Sequence, residues 1–306
     1  MDTPRTILIV GPTAGGKTDL GVELALRLSG EVVTADAFQV YRGMDIGTAK
    51  PTPEERRGVP HHLLDIVDPP ESFSVHQWLA LANRTIGDIG AGGRLPIVVG
   101  GTNLYVKSLL DGLFEGPAPD PALRDQLRAM SPEARREELV RVDPDAARRI
   151  HPNDERRTIR AIEVFRQTGR AISTHQTQWD APGADDSRLL VGLDWPVETI
   201  NRRINARVRA MIERGLVEEV RRLAPHLGPQ AREALGYKQI LAHLAGAMSL
   251  DDAAEKIKIE TRRFAKNQRT WLKRLRRTPG SLWIDAATMP REEWAGLIER
   301  AWRPRG

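Results

Sequence analysis

The feature that most restricts the fold of this chain is the segment Gly-Pro-Thr-Ala-Gly-Gly-Lys-Thr at residues 11–18, which matches the pattern G-x-x-x-x-G-K-[ST]. The unbroken apolar run Ile7–Val10 precedes it and is typical of a strand buried on both faces. From Thr18 to Leu28, leucine and alanine recur at helical spacing, and Gly30 is expected to end that helix. A buried strand, a glycine-rich turn and a helix in this order predict a phosphate-binding loop in a parallel α/β sheet.

This loop predicts a site for a diphosphate bound together with Mg²⁺. Backbone N–H groups of the loop and the N-terminus of the helix attract phosphate oxygens, Lys17 adds a positive charge, and the Thr18 hydroxyl is a ligand for Mg²⁺. The predicted diphosphate-binding residues of the loop are Gly11, Pro12, Thr13, Ala14, Gly15, Gly16, Lys17 and Thr18. The pattern does not identify the molecule that carries the diphosphate, since a nucleoside triphosphate and other Mg²⁺-bound diphosphates satisfy the same donors.

The rest of the first third of the chain alternates between expected strands and helices. Strands are expected at Glu31–Ala35, more weakly at His62–Val67, and at Leu95–Val99, with a helix from Val75 to Ile89. Such alternation predicts parallel strands joined by right-handed crossovers. The fold class is therefore predicted as α/β, a parallel sheet of the P-loop NTPase kind wound by helices.

The pattern changes at the turn-rich segment Gly116–Pro121, after which no strand is expected until Leu189–Asp194. Short charged segments with helical spacing lie between them, at Leu123–Met130, Pro132–Val142, Asp145–Ile150 and Arg156–Gln167. We therefore predict a catalytic core of residues 1–115 and 183–306 with a helical insertion domain at 116–182. The core is expected to end with helices at Val197–Arg222, Tyr237–Leu244 and Leu250–Arg277, and an edge strand at Leu282–Ile284.

Polar residues follow two of the expected strands, Asp36 after the second and Thr102 after the fourth. Ligands of open parallel sheets bind beyond the carboxyl ends of the strands, so both side chains are expected near the phosphate loop. A carboxylate there is a candidate general base or metal ligand. Both residues could instead cap helices, Thr102 the one expected over 103–110.

Basic residues are concentrated in the C-terminal third of the chain, which indicates either a polyanionic partner or a solvated helix face. In the helix expected at Leu250–Arg277, lysine and arginine surround an apolar stripe at a density that suits a nucleic acid backbone. Phe264 and Trp271 lie in that stripe, where core packing is more common than base stacking. Arg203 and Arg207 share a helix face and could reach one anion together, although solvated surface more often explains such a pair.

Several classes of protein are excluded by what the sequence lacks. It contains no cysteine, which excludes disulfides, thiolate catalysis and cysteine-bound metals. Its apolar runs are too short to span a bilayer, and no hydrophobic region of a secretory signal follows Met1–Arg5. We therefore expect a cytoplasmic location and no membrane partner. His61 and His62 lack the spacing of a metal site, and there is no G-x-S-x-G motif of a serine hydrolase.

Other segments are far more specific than the loop. Residues 36–51, Asp-Ala-Phe-Gln-Val-Tyr-Arg-Gly-Met-Asp-Ile-Gly-Thr-Ala-Lys-Pro, resemble the signature of the bacterial tRNA dimethylallyltransferase family, the tRNA isopentenyltransferases. The resemblance continues in the family's order through Pro60–Asp65, Val99–Tyr105, Ile150–Asp154, Ala234–Lys238 and Thr261–Lys266. It covers nearly the whole chain, from Ile7 to Trp283.

This resemblance implies transfer of a dimethylallyl group from dimethylallyl diphosphate to N6 of the adenine 3′ to the tRNA anticodon, with release of diphosphate. The phosphate loop would then hold the prenyl diphosphate, with Mg²⁺ on Thr18. Lys17 and Arg207 would stabilise the leaving charge, with Arg203 as the alternative arginine, and Asp36 would accept the proton of the amine. The residues implied to be catalytic are Asp36, Thr102, Lys17 and Arg207. The enzyme is expected to act as a monomer.

The resemblance also implies that the anticodon stem-loop of tRNA is the partner, with its target base flipped into a channel and the insertion closing over it. The residues implied to contact tRNA are Asp36, Ala37, Phe38, Gln39, Thr102, Arg124, Arg156, Arg157, Arg160, Tyr237, Lys238, Lys266, Gln268, Arg269 and Trp271. Two positions depart from the family pattern. Ala37 replaces a common serine, and Lys266-Asn267-Gln268-Arg269 moves one positive charge by two positions.

Three other hypotheses share the phosphate loop. A prenyltransferase for free adenine nucleotides would need neither the basic helix nor the insertion. A P-loop small-molecule kinase would not explain residues 36–51, and a non-catalytic RNA-binding protein would not need a carboxylate at Asp36.

Overall fold

The computed structural model describes residues 4–114, 116–175 and 187–302, and the chain divides into two compact units. Unit 1 comprises Met1–Leu110 and Ala184–Gly306, and unit 2 comprises Asp111–Gly183. The insertion predicted at 116–182 falls within unit 2. Among the described helices, none combines the length and the apolar character needed to cross a membrane.

The described part of unit 1 is built on one parallel sheet. Its strands are β1 (Thr6–Val10), β2 (Gly30–Ala35), β3 (His61–His62), β4 (Leu95–Gly100), β5 (Arg188–Asp194) and β6 (Leu282–Asp285). They pair in the order β3-β2-β4-β1-β5-β6, and every pair is parallel. The α/β fold class predicted from the alternating pattern is confirmed, and β6 forms the predicted edge strand.

Helices connect the strands and account for most of the remaining described residues. In chain order they are α1 (Lys17–Leu28), α2 (Pro53–Arg56), α3 (Val75–Ala91), α4 (Asn103–Asp111), α5 (Pro121–Ala129), α6 (Pro132–Val142), α7 (Pro144–Arg149), α8 (Glu155–Thr168), α9 (Val197–Glu213), α10 (Leu216–Leu223), α11 (Pro229–Arg232), α12 (Tyr237–Leu244), α13 (Leu250–Leu275) and α14 (Arg291–Trp302). Helices α5 to α8 belong to unit 2, which also contains a short 3₁₀ helix at Ile172–His175.

Both faces of the sheet are covered by helices, which explains why its strands are continuous apolar runs. Leu8 and Val98 pack on one face with α3, α4 and α9 to α13, whereas Ile7 and Ile97 pack on the other with α1 and α14. Unit 2 has a core of its own, to which all four of its α-helices contribute, including Leu127, Leu139, Ala146 and Ile162.

One predicted helix is interrupted, and one helix was not predicted. The helix expected over Val197–Arg222 is broken into α9 and α10, because Gly215 adopts φ +97° between them and no right-handed helix continues through that conformation. Helix α14 has no counterpart among the sequence predictions. It buries Trp294 and Ile298 in the cluster that also contains α1.

Two boundaries were also wrong. The third strand is not His62–Val67, because Leu63 and Asp65 adopt φ of 61° and 54° and carry the chain away from the sheet after two residues. Ser29, not Gly30, ends α1 in the left-handed conformation, and Gly30 is already part of β2.

Candidate active site

The predicted phosphate loop joins β1 to α1 at the carboxyl edge of the sheet. Gly16 adopts φ +85° immediately before the helix, a left-handed conformation that favours glycine. Lys17 Nζ donates hydrogen bonds to the backbone oxygens of Gly11 at 3.0 Å and Pro12 at 2.9 Å. The loop therefore wraps around its own lysine ammonium, beside the unpaired N–H groups of the first helical turn.

The positive charges around this loop are crowded and partly removed from water. The pKa of Lys17 is lowered to about 8, mainly by burial and next by the positive charge of Arg207, while Asp36 raises it. Burial also lowers the pKa of Arg207, against the opposing effects of the Asp36 and Glu55 carboxylates. Both shifts disfavour the positively charged forms of Lys17 and Arg207. An anion bound between these side chains would stabilise their positive charges.

The two arginines expected to share a helix face both reach the loop. Arg203 Nε donates to the backbone oxygen of Ala14 at 2.6 Å, and Arg207 Nη1 lies 3.5 Å from Thr13 Oγ1. Both line the same cavity as Lys17 and Thr18. The structure thus brings both guanidinium groups to the loop, as expected for two residues that bind one anion, and Arg203 is at the same time exposed to solvent.

Asp36 follows β2, and one of its carboxylate oxygens caps the turn that comes next. Its Oδ1 accepts hydrogen bonds from the backbone N–H groups of Phe38 at 2.9 Å and Gln39 at 3.2 Å, so it caps a turn and not a helix. Its Oδ2 has no hydrogen-bond partner within the described part of the chain. One carboxylate oxygen therefore orders the backbone, and the other remains available for chemistry.

Thr102 follows β4 and holds the two strand ends together. Its hydroxyl oxygen accepts a hydrogen bond from the backbone N–H of Ala37 at 3.1 Å. This contact fixes the backbone beside Asp36, and Thr102 itself lines a cavity with Asp36. The alternative considered for Thr102 was that its hydroxyl caps the following helix. The hydroxyl instead accepts its hydrogen bond from Ala37.

Two cavities meet at Asp36. The first, of about 460 Å³, is lined by Thr13–Thr18 of the phosphate loop and by Arg203 and Arg207 of α9. The second, of about 290 Å³, has mostly apolar walls, which include Ile204, Val208, Met211, Leu235, Ile257 and Phe264. Thr13, Asp36 and Arg207 line both. A polar chamber suited to an anion is thus joined to an apolar chamber suited to a flat, weakly polar group.

Gln268 was predicted to contact tRNA, but its side chain is only 1% exposed. Its Oε1 accepts from the backbone N–H of Thr13 at 2.8 Å, and its Nε2 donates to the backbone oxygen of Gly101 at 2.9 Å. Both ends of the amide are occupied by protein partners. Gln268 therefore ties α13 to the phosphate loop and to the end of β4, and its prediction as a tRNA contact is corrected.

Tyr237 was also predicted to contact tRNA, and it too is fully buried. Its hydroxyl donates to Glu219 Oε1 at 2.5 Å, and burial raises its pKa well above the usual range. The same Glu219 carboxylate accepts from the backbone N–H groups of Asp45, Ile46 and Gly47 at 2.8 to 3.1 Å. A Cβ atom on Gly47 would lie 2.4 Å from the Tyr237 ring. Tyr237 and Glu219 therefore hold in place the backbone of residues 45–47, which belong to the signature segment at residues 36–51.

We expect the Glu219→Gln variant to lose about 1–3 kcal/mol of unfolding free energy, measured by chemical denaturation. A carboxylate offers two acceptor oxygens to four donors, whereas the amide would present its own N–H groups to some of them. The matched control is Glu218→Gln, one residue away in α10 and exposed, which should change stability by less than about 0.5 kcal/mol. Equal stability of both variants would contradict this role for Glu219.

Phe38 and Gln39, two further residues of the signature segment that were predicted to contact tRNA, are partly occupied by contacts within the protein. Phe38 is half-buried against the core cluster, and Gln39 Nε2 donates to the backbone oxygens of Thr48 and Ala49, both at 3.2 Å. Gln39 also lines the first cavity. Its amide therefore shapes the wall of the cavity.

The arginines predicted in unit 2 fall into two groups. Arg124 and Arg160 both pair with the fully buried Glu163, at 2.8 Å and 2.7 Å, so their guanidinium groups neutralise an internal charge. Part of their charge is thus already used within unit 2, and their assignment as tRNA contacts stays a prediction. Arg156 and Arg157 are exposed, and Arg157 lies 3.4 Å from Asp154.

The predicted basic residues near the C-terminus are mostly accessible. Lys266 is exposed, and Trp271 is half-buried with the Arg274 guanidinium 5.4 Å from the centre of its ring. Arg269 is half-buried, and its Nη1 is buried without a hydrogen-bond partner among the described residues. Lys238 forms an ion pair with Glu260 at 2.9 Å. Phe264, expected in the core, is 39% exposed and lines both cavities.

Sequence reasoning missed one further support of the phosphate loop. Trp195 Nε1 donates to the backbone oxygen of Gly15 at 3.0 Å, and the Arg203 guanidinium lies 5.0 Å from the centre of its ring. The signal available was the position of Trp195 directly after β5, on the strand edge that also carries the loop.

Comparison with known proteins places this site in a family. A family model described as IPP transferase matches residues 39–275, and one described as isopentenyl transferase matches residues 4–66. A tRNA dimethylallyltransferase of Thermomicrobium roseum is 48% identical over 97% of this chain and 91% of its own length. A second, from Geotalea uraniireducens, is 47% identical over 88% of this chain and 89% of its own length.

Solved structures agree with these relatives. The tRNA isopentenylpyrophosphate transferase of Bacillus halodurans superposes with a TM-score of 0.71 at 40% identity, covering 98% of this chain and 95% of its own. A eukaryotic dimethylallyltransferase acting on tRNA superposes with a TM-score of 0.81 at 29% identity, covering 97% of this chain and 77% of its own.

Proposed function

This chain belongs to the tRNA dimethylallyltransferase family and is a prenyl transferase; from that membership we propose the reaction and the roles of its residues. The enzyme transfers the dimethylallyl group of dimethylallyl diphosphate to N6 of the adenine 3′ to the tRNA anticodon. The observation that carries this proposal is the meeting of a cationic cavity and an apolar cavity at Asp36. The diphosphate occupies the first, and the flipped adenine enters the second.

In the reaction, the bond between the allylic carbon and the diphosphate oxygen breaks as N6 of adenine bonds to that carbon. The bonding electrons leave with the diphosphate, whose growing charge is stabilised by Lys17, Arg203, Arg207 and the N–H groups of the loop. N6 loses one proton in the transfer, and Asp36 Oδ2 accepts it. The apolar walls of the second cavity keep water from the developing allylic cation.

The loop also fits a bound Mg²⁺ ion. This ion prefers one or two protein oxygens together with substrate phosphates and water. The Thr18 hydroxyl lines the first cavity and has no hydrogen-bond partner among the described residues, so it is free to serve as that ligand. When bound, the ion would neutralise part of the diphosphate charge.

tRNA recognition draws on the exposed basic residues of the predicted set. Lys266 and the half-buried Arg269 lie on α13, and Arg156 and Arg157 are exposed on unit 2. We further propose that the enzyme acts as a monomer and works in the cytoplasm, together with its tRNA substrate.

The direct test is a transfer assay with labelled dimethylallyl diphosphate, Mg²⁺ and unmodified tRNA whose anticodon ends in A. We expect label on the adenine that follows the anticodon, and none when that adenine is replaced by guanine. Transfer to free AMP but not to tRNA would instead identify a nucleotide prenyltransferase. Hydrolysis of ATP without any transfer would favour a kinase.

The lowered pKa of Lys17 predicts a pH dependence of diphosphate binding. The free enzyme holds this ammonium charged below a pKa of about 8 and loses it above that value. Because a bound diphosphate raises the pKa again, we expect KM for dimethylallyl diphosphate to rise as pH passes through about 8. The check is a pH profile of kcat/KM for dimethylallyl diphosphate. At saturating dimethylallyl diphosphate the same decline should move to higher pH, and a KM independent of pH would contradict this prediction.

A further inference from the structure

The C-terminal helix α14 brings an additional arginine to the phosphate loop. Arg291, the first residue of this helix, lies beyond residues 39–275 and 4–66, which the two family models match. Its guanidinium forms an ion pair with the carboxylate of Asp19 in α1. Its Nη2 also lies 3.5 Å from the position that a Cβ atom on Gly16 would occupy, and Arg203 Nη2 lies 3.9 Å from that position.

The position of Asp19 creates an electrostatic problem for a diphosphate site. Asp19 lies in the first turn of α1 and lines the cavity that contains the loop. A carboxylate at the N-terminus of a helix competes with a phosphate for the same dipole and N–H groups, and its charge repels the phosphate. Arg291 cancels this charge at the point where the repulsion would arise.

Arg291 is also close enough to Arg203 for the two charges to interact. The pKa of Arg203 is lowered first by burial and next by the positive charge of Arg291, while Asp19 raises it. Two guanidinium groups that both lie within 4 Å of the Gly16 Cβ position repel each other, and an anion bound beside them relieves that repulsion. The arrangement therefore favours the binding of a highly charged anion next to the phosphate loop.

The packing of α14 holds Arg291 at this place. Trp294 is 2% exposed, and its ring lies 6.0 Å from that of Trp195 in an edge-to-face arrangement. Trp195 in turn donates a hydrogen bond to Gly15 of the loop. Helix α14 is thus connected to the loop through an aromatic pair, in addition to the ion pair with Asp19.

We propose that Arg291 is a further diphosphate-binding residue of this enzyme, which compensates Asp19 and, with Arg203 and Arg207, encloses the diphosphate of the prenyl donor. This proposal rests on the proposed function only for the identity of the donor. The chemistry it requires, recognition of a diphosphate bound with Mg²⁺, is independent of the acceptor.

The test compares Arg291→Gln with Arg300→Gln, an exposed arginine near the other end of the same helix. Binding of inorganic pyrophosphate with Mg²⁺ is measured by calorimetry, and KM is measured separately for dimethylallyl diphosphate and for tRNA. We expect Arg291→Gln to weaken pyrophosphate binding and raise KM for dimethylallyl diphosphate by about five- to tenfold, since one nearby charge is lost in a partly solvated site. KM for tRNA should stay within about twofold, and Arg300→Gln should change none of the three values.

Two further variants separate this role from a structural one. Arg291→Lys keeps the charge and should recover most of the diphosphate affinity. Asp19→Asn combined with Arg291→Gln should bind pyrophosphate more tightly than Arg291→Gln alone, because the uncompensated carboxylate is gone. Unchanged pyrophosphate binding in Arg291→Gln, or equal losses in Arg291→Gln and Arg300→Gln, would overturn the proposal. If the unaltered enzyme binds pyrophosphate but transfers nothing to tRNA, the proposed function fails while this test still gives its answer.

Discussion

Replacing Asp36 by asparagine is expected to lower the rate of prenyl transfer by about a hundredfold to ten-thousandfold, the range for loss of a positioned general base. Asparagine keeps an Oδ1 acceptor for the backbone N–H groups of Phe38 and Gln39, so the turn that Asp36 caps is preserved. The amide cannot accept the proton that N6 releases. The measurement is the single-turnover rate at saturating tRNA and dimethylallyl diphosphate, together with the affinity for tRNA, which should be unchanged.

The Asp36→Ala variant separates the two functions of this carboxylate. Alanine removes both the base and the cap, so it should match asparagine in rate and lose additional stability, by about 1 kcal/mol. A matched carboxylate control is Asp68→Asn, an exposed residue outside both cavities that pairs with Arg42. A rate for Asp36→Asn close to that of the unaltered enzyme would show that N6 gives its proton to another group.

The second large effect is expected for Arg207→Ala, with kcat lowered by about a hundredfold to a thousandfold, as for loss of one group that stabilises transition-state charge. Arg207 lies where the two cavities join and near Lys17, so in the proposed reaction it would face the diphosphate where the bond to the allylic carbon breaks. The charge on the diphosphate grows as that bond breaks, and kcat should therefore fall more than KM rises.

Arg209→Ala is the control for this variant, because Arg209 is exposed on the same helix, and it should retain nearly full kcat. Arg207→Lys should recover only part of the rate, since an ammonium is a single point of charge and lacks the planar fork of donors. Equal kcat values for Arg207→Ala and Arg209→Ala would remove Arg207 from the catalytic step. Arg203, the alternative arginine, would then be the next residue to replace.

Most of the sheet could be predicted because its signals are local. Continuous apolar runs marked β1, β2, β4 and β5, and the pattern of the phosphate loop located the start of α1. The third strand was predicted too long because only two residues pair in the sheet. Helix α14 was missed although Pro290 and the acidic residues Glu292 and Glu293 are typical of a helix start. The break at Gly215 was readable in principle, since glycine is the residue that a left-handed turn between two helices favours.

The site was harder to predict, because the type of a residue does not reveal the direction of its side chain. Tyr237 and Gln268 lie in motifs that resemble the family signature, and both turned out to be buried supports with occupied hydrogen-bonding groups. Arg124 and Arg160 were assigned to tRNA contact by the resemblance, and the structure pairs both with the buried Glu163. The partners of Tyr237, Gln268 and Arg124 lie far from them along the chain. Arg160 and Glu163 instead lie three residues apart on α8.

The sequence by itself determined the fold class, the phosphate loop and the family, because each depends on residues that are neighbours along the chain. Only the tertiary structure decided which oxygen of Asp36 is free, which basic groups face the loop, and that Arg291 from the last helix meets Asp19 from the first. The physical reason is the distance along the chain over which each property is determined. A hydrogen-bonding pattern or a hydrophobic period extends over a few residues, whereas charge, burial and cavity shape depend on whatever the fold brings within a few ångströms.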